Sequence, residues 1–111
     1  MPSASLRTNW YYVLLALAAG PRHGQAIARE VERMTDARLR LWPATLYGTL
    51  DSLIDCGWIE EIRDRPRRPD DNERRRYFGL TRAGHATLAD ETRRLEDLLK
   101  IARAACRRES S

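Results

Sequence analysis

Cysteine is scarce in this chain of 111 residues, and long apolar runs are absent. Its two cysteines, Cys56 and Cys106, are too few for a disulfide framework or a four-cysteine zinc site, which favours a reduced, cytoplasmic protein. The longest apolar run, residues 10–19, falls well short of the roughly 20 residues that span a bilayer. This run follows Arg7 and ends near Ala16-Leu17-Ala18, so it resembles a secretory signal, but its aromatic residues suit a buried helix equally well.

Patterns that carry catalysis or metal binding are also missing. Neither His23 nor His85 has a cysteine or carboxylate at a recognised metal-ligand spacing. Adjacent acids such as Glu60 and Glu61 are typical of a solvated surface. Glycine-rich phosphate loops and nucleophile motifs do not occur. We therefore expect a protein that is not an enzyme and that has no cofactor, no catalytic residues and no metal site.

Arginine dominates the charge. The chain has 20 basic residues, of which only Lys100 is a lysine, against 16 acidic ones, for a net charge of +4 at pH 7. The guanidinium fork binds phosphate well, so this balance favours a nucleic-acid partner, although genomic base composition can also raise arginine use. Hydrophobic residues make up 42% of the chain, which suits one compact domain.

Hydrophobic spacing predicts the order of the elements. Apolar residues at helical intervals predict helices over residues 5–19, 22–35, 43–56 and from Thr81 onwards. Alternating apolar residues predict strands over residues 39–42, 58–63 and 75–80. Gly57 stands where a helix C-terminal glycine belongs, and Thr81 suits the N-cap of the last helix. The order predicts a mainly α (α+β) fold: a winged helix-turn-helix over residues 1–80 and a long C-terminal dimerisation helix over residues 81–111, in one compact unit.

The predicted helix over residues 43–56 is the candidate recognition helix. In helix-turn-helix proteins the second helix of the motif enters the major groove, and its early residues meet the bases. Small or hydroxyl-bearing side chains away from the Leu46/Leu50/Leu53 stripe permit close approach, and a tyrosine can donate to a phosphate. The predicted DNA-binding residues here are Ala44, Thr45, Tyr47, Gly48, Thr49 and Ser52. An ordinary solvent-facing helix surface is the alternative.

The segment between the last two predicted strands is the candidate wing. From Arg63 to Arg76 it has seven arginines against four acidic residues, a local net charge of +3. Arginines on a hairpin tip can enter a minor groove or hold phosphates. The predicted DNA-binding residues of the wing are Arg65, Arg67, Arg68, Arg74 and Arg75. A solvated loop with internal ion pairs is the alternative, since the cluster 70–73 is acidic.

The last helix has a heptad stripe that predicts a homodimer. The stripe residues follow one another at spacings of four and three: Leu88, Thr92, Leu95, Leu99, Ala102 and Cys106. Leu98 and Ile101 widen the stripe beyond what so small a domain can cover. The first helix is apolar nearly all round, so one of its sides is also expected to face a partner. A reversible intersubunit disulfide at Cys106 is an alternative to a free thiol.

The chain resembles the PadR-like family of bacterial transcriptional regulators over roughly residues 8–108. The resemblance rests on an ordered set of segments: His23-Gly24-Gln25-Ala26-Ile27, then Thr45-Leu46-Tyr47 with Leu50, Leu53, Gly57, Trp58 and Ile59, then Arg75-Arg76-Tyr77-Phe78-Gly79-Leu80-Thr81 with Gly84 and Leu88. The short length is similar to that of the subgroup with a single C-terminal helix.

The resemblance implies a homodimeric repressor that a small molecule or another signal relieves. It also implies that Tyr47 contacts the DNA backbone. With two-fold symmetry the double-stranded operator would be palindromic. In the short subgroup an effector can lie between the first and last helices, where Trp10, Tyr11 and Tyr12 are candidate residues; plain dimer core is the alternative.

One departure from the family pattern favours a second interpretation. Asp51 and Ser52 stand where the family often has two basic residues, and an aspartate near phosphates costs affinity, although the wing arginines could compensate. Together with Glu60 and Glu61, Asp51 favours a winged-helix module that binds protein and has no specific DNA site.

Overall fold

The computed structural model describes residues 8–63 and 76–110. In chain order its elements are helix α1 (Thr8–Ala16), strand β1 (Arg22–His23), helix α2 (Gly24–Met34), helix α3 (Pro43–Asp55), strand β2 (Ile59–Ile62), strand β3 (Tyr77–Leu80) and helix α4 (Arg82–Ser110). The fold is mainly helical with a small antiparallel sheet, as the sequence predicts.

The hydrophobic core lies where α1, α2 and α3 meet the sheet. It consists of aliphatic side chains, most of them from the three helices, together with Ile59 of β2 and Phe78 of β3, all fully or nearly fully buried: Val13, Leu14, Ala16, Leu17, Ile27, Val31, Leu41, Leu46, Leu50, Leu53, Ile59, Phe78 and Leu88. Each such side chain larger than alanine stabilises the fold by about 1.5–3 kcal/mol relative to leaving it in water. The Leu46/Leu50/Leu53 stripe predicted for α3 is confirmed, and it fixes which side of that helix faces solvent.

The sheet has the order β1-β3-β2 and is antiparallel throughout. The prediction of a strand over residues 39–42 is wrong: the third strand is Arg22–His23, which pairs with Phe78 and Tyr77. Residues 39–42 instead connect α2 to α3, after a turn in which Asp36 and Ala37 both adopt left-handed backbone conformations. Their alternation arises because the linker turns two side chains inward: Leu41 is buried in the core, and Leu39 packs against it. A two-residue strand has too little sequence to show alternation.

A glycine turn and a threonine cap connect the start of α4 to the turn that follows α3. Gly57 ends α3 at a φ of 79°, a left-handed conformation that favours glycine, so the predicted C-terminal glycine is confirmed. The Thr81 hydroxyl donates to the Gly57 carbonyl over 2.6 Å and accepts from the Gly84 amide over 3.0 Å. Thr81 is therefore the N-cap of α4, as predicted, and it ties this helix to the turn that precedes β2.

Only the first half of α4 packs against its own domain. Leu88 and Glu91 are buried, whereas Leu98, Leu99 and Ile101 are 51%, 48% and 67% exposed. At 1.5 Å per residue, the 29 residues of α4 span roughly 43 Å, so the helix extends well beyond the core. The predicted excess of apolar surface is present in the single chain. Among residues 8–63 and 76–110, no helix is long and apolar enough to cross a membrane.

Glu91 is the one carboxylate that α4 buries within its packed half, among the described residues. Arg94 forms a bidentate pair with it, at 2.9 Å from Nε to Oε1 and 2.6 Å from the second guanidinium nitrogen to Oε2. This hydrogen bonding holds the pKa of Glu91 below its ordinary value of 4.5, against the opposing effect of burial. The charged pair therefore contributes stability while Glu91 is ionised.

Candidate nucleic-acid interface

Helix α3 exposes small side chains to solvent at its N-terminal end. Ala44, Thr45 and Gly48 are exposed, and Ser52 is half-buried one turn further along. Pro43 begins the helix, where its fixed φ and missing N–H are tolerated. Since the leucine stripe takes up the opposite side, these small side chains form the part of α3 that can enter a groove.

Thr49 does not belong to this exposed face. The structure buries its side chain to 9% exposure, so the prediction that it lies away from the core stripe is wrong. Thr49 is three residues after Leu46 and four before Leu53, and both intervals bring side chains to the same side of a helix. The hydroxyl group favours a solvent-exposed position, but the helical spacing from the core leucines determines that Thr49 is buried.

Tyr47 joins α3 to the first turn of α2. Its side chain is half-buried, and its hydroxyl oxygen lies so close to Gly24 that a methyl group added there would be only 2.5 Å away. Gly24 opens α2, and His23 caps it: the His23 Nδ1 accepts the Ala26 amide over 3.2 Å. The Tyr47 hydroxyl thus stands at a helix N-terminus, where the macrodipole favours a phosphate. His23 therefore has a structural role as the N-cap of α2.

Arg76, directly before β3, is paired with Glu61 of β2 and lies within electrostatic range of α3. Its guanidinium donates to Glu61 Oε1 over 3.0 Å and lies 5.1 Å from the centre of the Phe78 ring. The hydrogen bond to Glu61 raises the pKa of Arg76, and the nearby charge of Asp51 raises it further. Asp51 is exposed on α3 and has this cation close by, which offsets part of its repulsion of a phosphate. The sequence prediction included Arg74 and Arg75 but missed Arg76.

The predicted wing arginines Arg65, Arg67, Arg68, Arg74 and Arg75 lie outside the described residues. The strands on either side of them are described, and they pair at Ile62 and Tyr77.

The predicted dimerisation stripe divides into two parts. Leu88 is buried in its own chain, and the Thr92 hydroxyl donates to the Leu88 carbonyl over 2.8 Å. Leu95 is half-buried, whereas the rest of the stripe is exposed: Leu99, Ala102 and Cys106. In the single chain, the first part of the stripe docks α4 onto the domain, and the second part faces solvent.

The three aromatic residues of α1 have different neighbours: Trp10 lies near the start of β2, Tyr11 near α4 and Tyr12 near the end of α2. Trp10 packs edge-to-face on Trp58, with ring centres 5.9 Å apart. The Tyr11 hydroxyl donates to Thr92 Oγ1 over 2.9 Å, because that threonine's own proton goes to the helix carbonyl. Tyr12 lines an open cleft of about 380 Å³ between α1 and the end of α2, with Met34 among the other lining residues. All three are half-buried, and each already has a neighbour in this chain.

The part of the chain that the structure describes contains no cluster of potential metal ligands. No three histidine, cysteine, aspartate or glutamate side chains there lie close enough to hold an ion. Cys56 and Cys106 are both exposed free cysteines within the single chain.

Residues 13–90 match the family described as the transcriptional regulator PadR-like family. The chain belongs to this family. The match runs from the core of α1 through the candidate recognition helix and wing to the packed half of α4, so it covers every element of the winged helix. PadR-like proteins are transcriptional regulators rather than an enzyme family, which accords with the absence of catalytic motifs in the sequence.

Solved structures of transcriptional regulators share the fold. A transcriptional regulator from Clostridium thermocellum superposes with a TM-score of 0.69 at 21% identity, covering 86% of this chain and 89% of its own. Bacillus subtilis PadR, solved in complex with operator DNA, superposes with a TM-score of 0.62 at 23% identity, covering 76% of this chain and 46% of its own. At these identities the likeness establishes the winged-helix fold alone.

A curated relative is a much longer protein. The uncharacterized 37.1 kDa protein in transposon TN4556 of Streptomyces fradiae is 39% identical over 88 residues, which are 78% of this chain. The chain spans only 23% of the length of that relative.

Proposed function

We propose that this PadR-like chain is a sequence-specific DNA-binding repressor that acts as a homodimer in the cytoplasm. The observation that carries the proposal is the outward N-terminal face of α3, where small side chains are exposed on a winged helix of a regulator family. Ala44, Thr45 and Gly48 allow the helix backbone to come close to base edges, and Thr45 can hydrogen-bond to bases or phosphates.

Backbone contacts would flank this helix on two sides. Tyr47 stands with its hydroxyl at the start of α2, a position that suits a DNA phosphate. The wing arginines would supply further contacts to phosphates or to the minor groove. The positive charge of Arg76 reduces the electrostatic repulsion between Asp51 and a DNA phosphate, so the departure from the family pattern at this position does not prevent DNA binding. The net charge of +4 favours the encounter with DNA.

A second copy of the chain is the proposed occupant of the exposed half of α4. Leu98, Leu99 and Ile101 are each about half exposed or more, and the Leu99 side continues the heptad stripe whose first part is already buried. An apolar seam of this kind is stable in water only when it is covered. A two-fold dimer would place two α3 helices in register with a palindromic operator whose half-sites are about one helical turn apart, or a multiple of it.

A small-molecule effector would act at the junction of α1 and α4. In α1, Trp10 packs on Trp58, the residue before β2, and Tyr11 hydrogen-bonds to Thr92 of α4. A ligand that rearranges these two residues would therefore shift α4 relative to the DNA-binding helices. Such a ligand changes DNA affinity only by as much as it binds the two arrangements differently. Release of repression is the proposed result.

Selection of genomic DNA fragments by the purified protein tests this function. Near physiological salt, we expect a few fragments with a shared palindrome to be enriched, and the protein to protect both half-sites from cleavage. Diffuse retention that disappears as salt rises would leave only non-specific phosphate binding. If nothing is retained, the protein-binding winged-helix interpretation replaces this one.

A further inference from the structure

The three tryptophans of the chain have different surroundings. Trp10 and Trp58 pack against the hydrophobic core and against each other. Trp42 is 66% exposed and lies outside the core cluster that the described residues form. A large exposed indole is a costly surface residue, and it stands directly before the candidate recognition helix.

The backbone holds Trp42 in place although its side chain is open to solvent. Leu41, the residue before it, is 7% exposed and anchors the linker in the core. Trp42 itself has an extended conformation, with φ −69° and ψ 154°, and Pro43 restricts it to that region. Its carbonyl accepts the Leu46 amide over 2.8 Å and begins the hydrogen bonding of α3. The indole therefore projects from an ordered backbone, so only its side-chain rotamers are left to be ordered when it makes a contact.

Local stability does not explain a tryptophan at this position. Trp42 is the N-cap of α3, where serine, threonine, aspartate or asparagine would accept an amide hydrogen bond. Within the described part of the chain, no side chain caps this helix. The residue thus contributes neither a cap nor core packing. A position that departs from both rules without a compensating gain in the fold is expected to serve binding.

We propose that Trp42 is a base-contacting residue that packs against the 5-methyl group of a thymine in the major groove. The inference rests on the proposed function and adds a specificity-determining residue to it. Trp42 leads directly into the exposed Ala44 and Thr45, at the end of α3 that meets base edges in helix-turn-helix proteins. The thymine methyl is the apolar feature of the major groove, and an apolar side chain reads it by contact.

The flanking charge is compatible with DNA and does not favour an apolar partner. Arg40 lies two residues before Trp42, with its side chain 61% exposed and paired to Glu32 over 2.8 Å. An exposed pair of this kind is weak, so the guanidinium can exchange its carboxylate for a phosphate at little cost. An indole beside an available arginine fits a groove lined by phosphates.

A chemical double-mutant cycle tests the contact. Operator duplexes recovered by genomic selection are prepared with each thymine of one half-site replaced in turn by uracil, which removes only the methyl group. Binding of the wild-type protein and of Trp42→Ala is measured for every duplex. At one thymine, we expect uracil to weaken the wild type about 5-fold and the variant less than 1.5-fold.

Trp42→Ser is the matched variant that guards against a folding artefact. Serine is a preferred N-cap, so this protein should unfold at a higher temperature than the wild type while binding the operator about 10-fold more weakly. Trp42→Phe keeps an apolar ring and should retain most of the affinity. Operator affinity unchanged in Trp42→Ser, or equal losses at every thymine with no coupling, would overturn the proposal.

The outcomes separate this inference from the function on which it depends. If the wild type prefers its operator to a scrambled duplex and Trp42→Ser does so equally well, Trp42 has no specificity role but the regulator function stands. If the wild type itself shows no preference, both are overturned.

Discussion

The approach of α4 to the turn before β2 has a severe and testable steric consequence at Gly84. A methyl group at this position would overlap the carbonyl oxygen of Trp58, and it would lie 2.9 Å from the carbonyl carbon and 3.3 Å from Leu80 Cδ2. Ordinary van der Waals contact begins near 3.4 Å. The main obstacle is backbone, which cannot rotate away, so Gly84→Ala must displace the start of α4 or the turn before β2.

The displacement acts on the hydrogen bonds that hold this junction. The Thr81 amide donates to the Trp58 carbonyl over 3.1 Å, and the Thr81 hydroxyl bridges Gly57 and Gly84. Loss of two of these three hydrogen bonds costs about 2 kcal/mol, and overpacking adds about 1–3 kcal/mol. The better helix propensity of alanine returns at most about 1 kcal/mol. The expected net loss is about 2–4 kcal/mol in the free energy of unfolding.

Thermal and urea unfolding of Gly84→Ala measures this loss, and Gly48→Ala is its matched control. For a domain of this size, 2 kcal/mol lowers the Tm by at least about 8 °C. Gly48 is also helical, but within the described residues nothing lies within 4 Å of an added methyl group. The control should therefore gain about 0.5–1 kcal/mol. Stability within about 0.5 kcal/mol of the wild type in Gly84→Ala would refute the described docking of α4.

Three further predictions concern the dimer, the acid response and the wing. Leu99→Asp should turn the proposed dimer into a monomer in light scattering, because an unpaired carboxylate is unfavourable in an apolar seam; Ala89→Asp, exposed outside the stripe, should leave that dimer intact. The pKa of Glu91 is lowered in the folded protein, so its contribution to the free energy of unfolding is complete above pH 4.5 and is lost as the pH falls through that lowered pKa. Glu91→Gln should therefore weaken the loss of stability at acid pH. An unchanged loss at acid pH would assign it to other groups. The slope of log affinity against log salt is about −0.9 per phosphate neutralised. We expect this slope to become shallower when three wing residues are replaced by alanine: Arg65, Arg67 and Arg68. An unchanged slope in this variant would show that the wing has no phosphate-binding role.

Side-chain periodicity was sufficient to predict most of the architecture. The leucines of α3 lie at helical spacing and are buried together, and Gly57 and Thr81 end and begin helices where their backbone chemistry indicates. The sheet was predicted less well, because Arg22–His23 is a strand only through its pairing with β3. Such a long-range pairing leaves no periodic mark in two residues.

The candidate site was predicted in outline, and its errors have different physical causes. Thr49 was assigned from its chemistry, whereas its burial follows from its spacing to the core leucines. Arg76 was missed because its role depends on Glu61 and Asp51, which approach it from another strand and from α3. Trp42 had a local signal: an indole before Pro43, where a capping residue is expected. The burial of Leu41 is needed to show that the indole faces outward.

The ratio of affinities for the selected operator and for a scrambled duplex of the same composition tests the central claim most directly. Measured by fluorescence anisotropy at about 150 mM salt, the ratio should exceed about 10³, the lower end for specific DNA-binding proteins. Thr45→Ala should reduce this ratio and change which bases are preferred. A wild-type ratio near one would contradict the account, because α3 would then not read sequence.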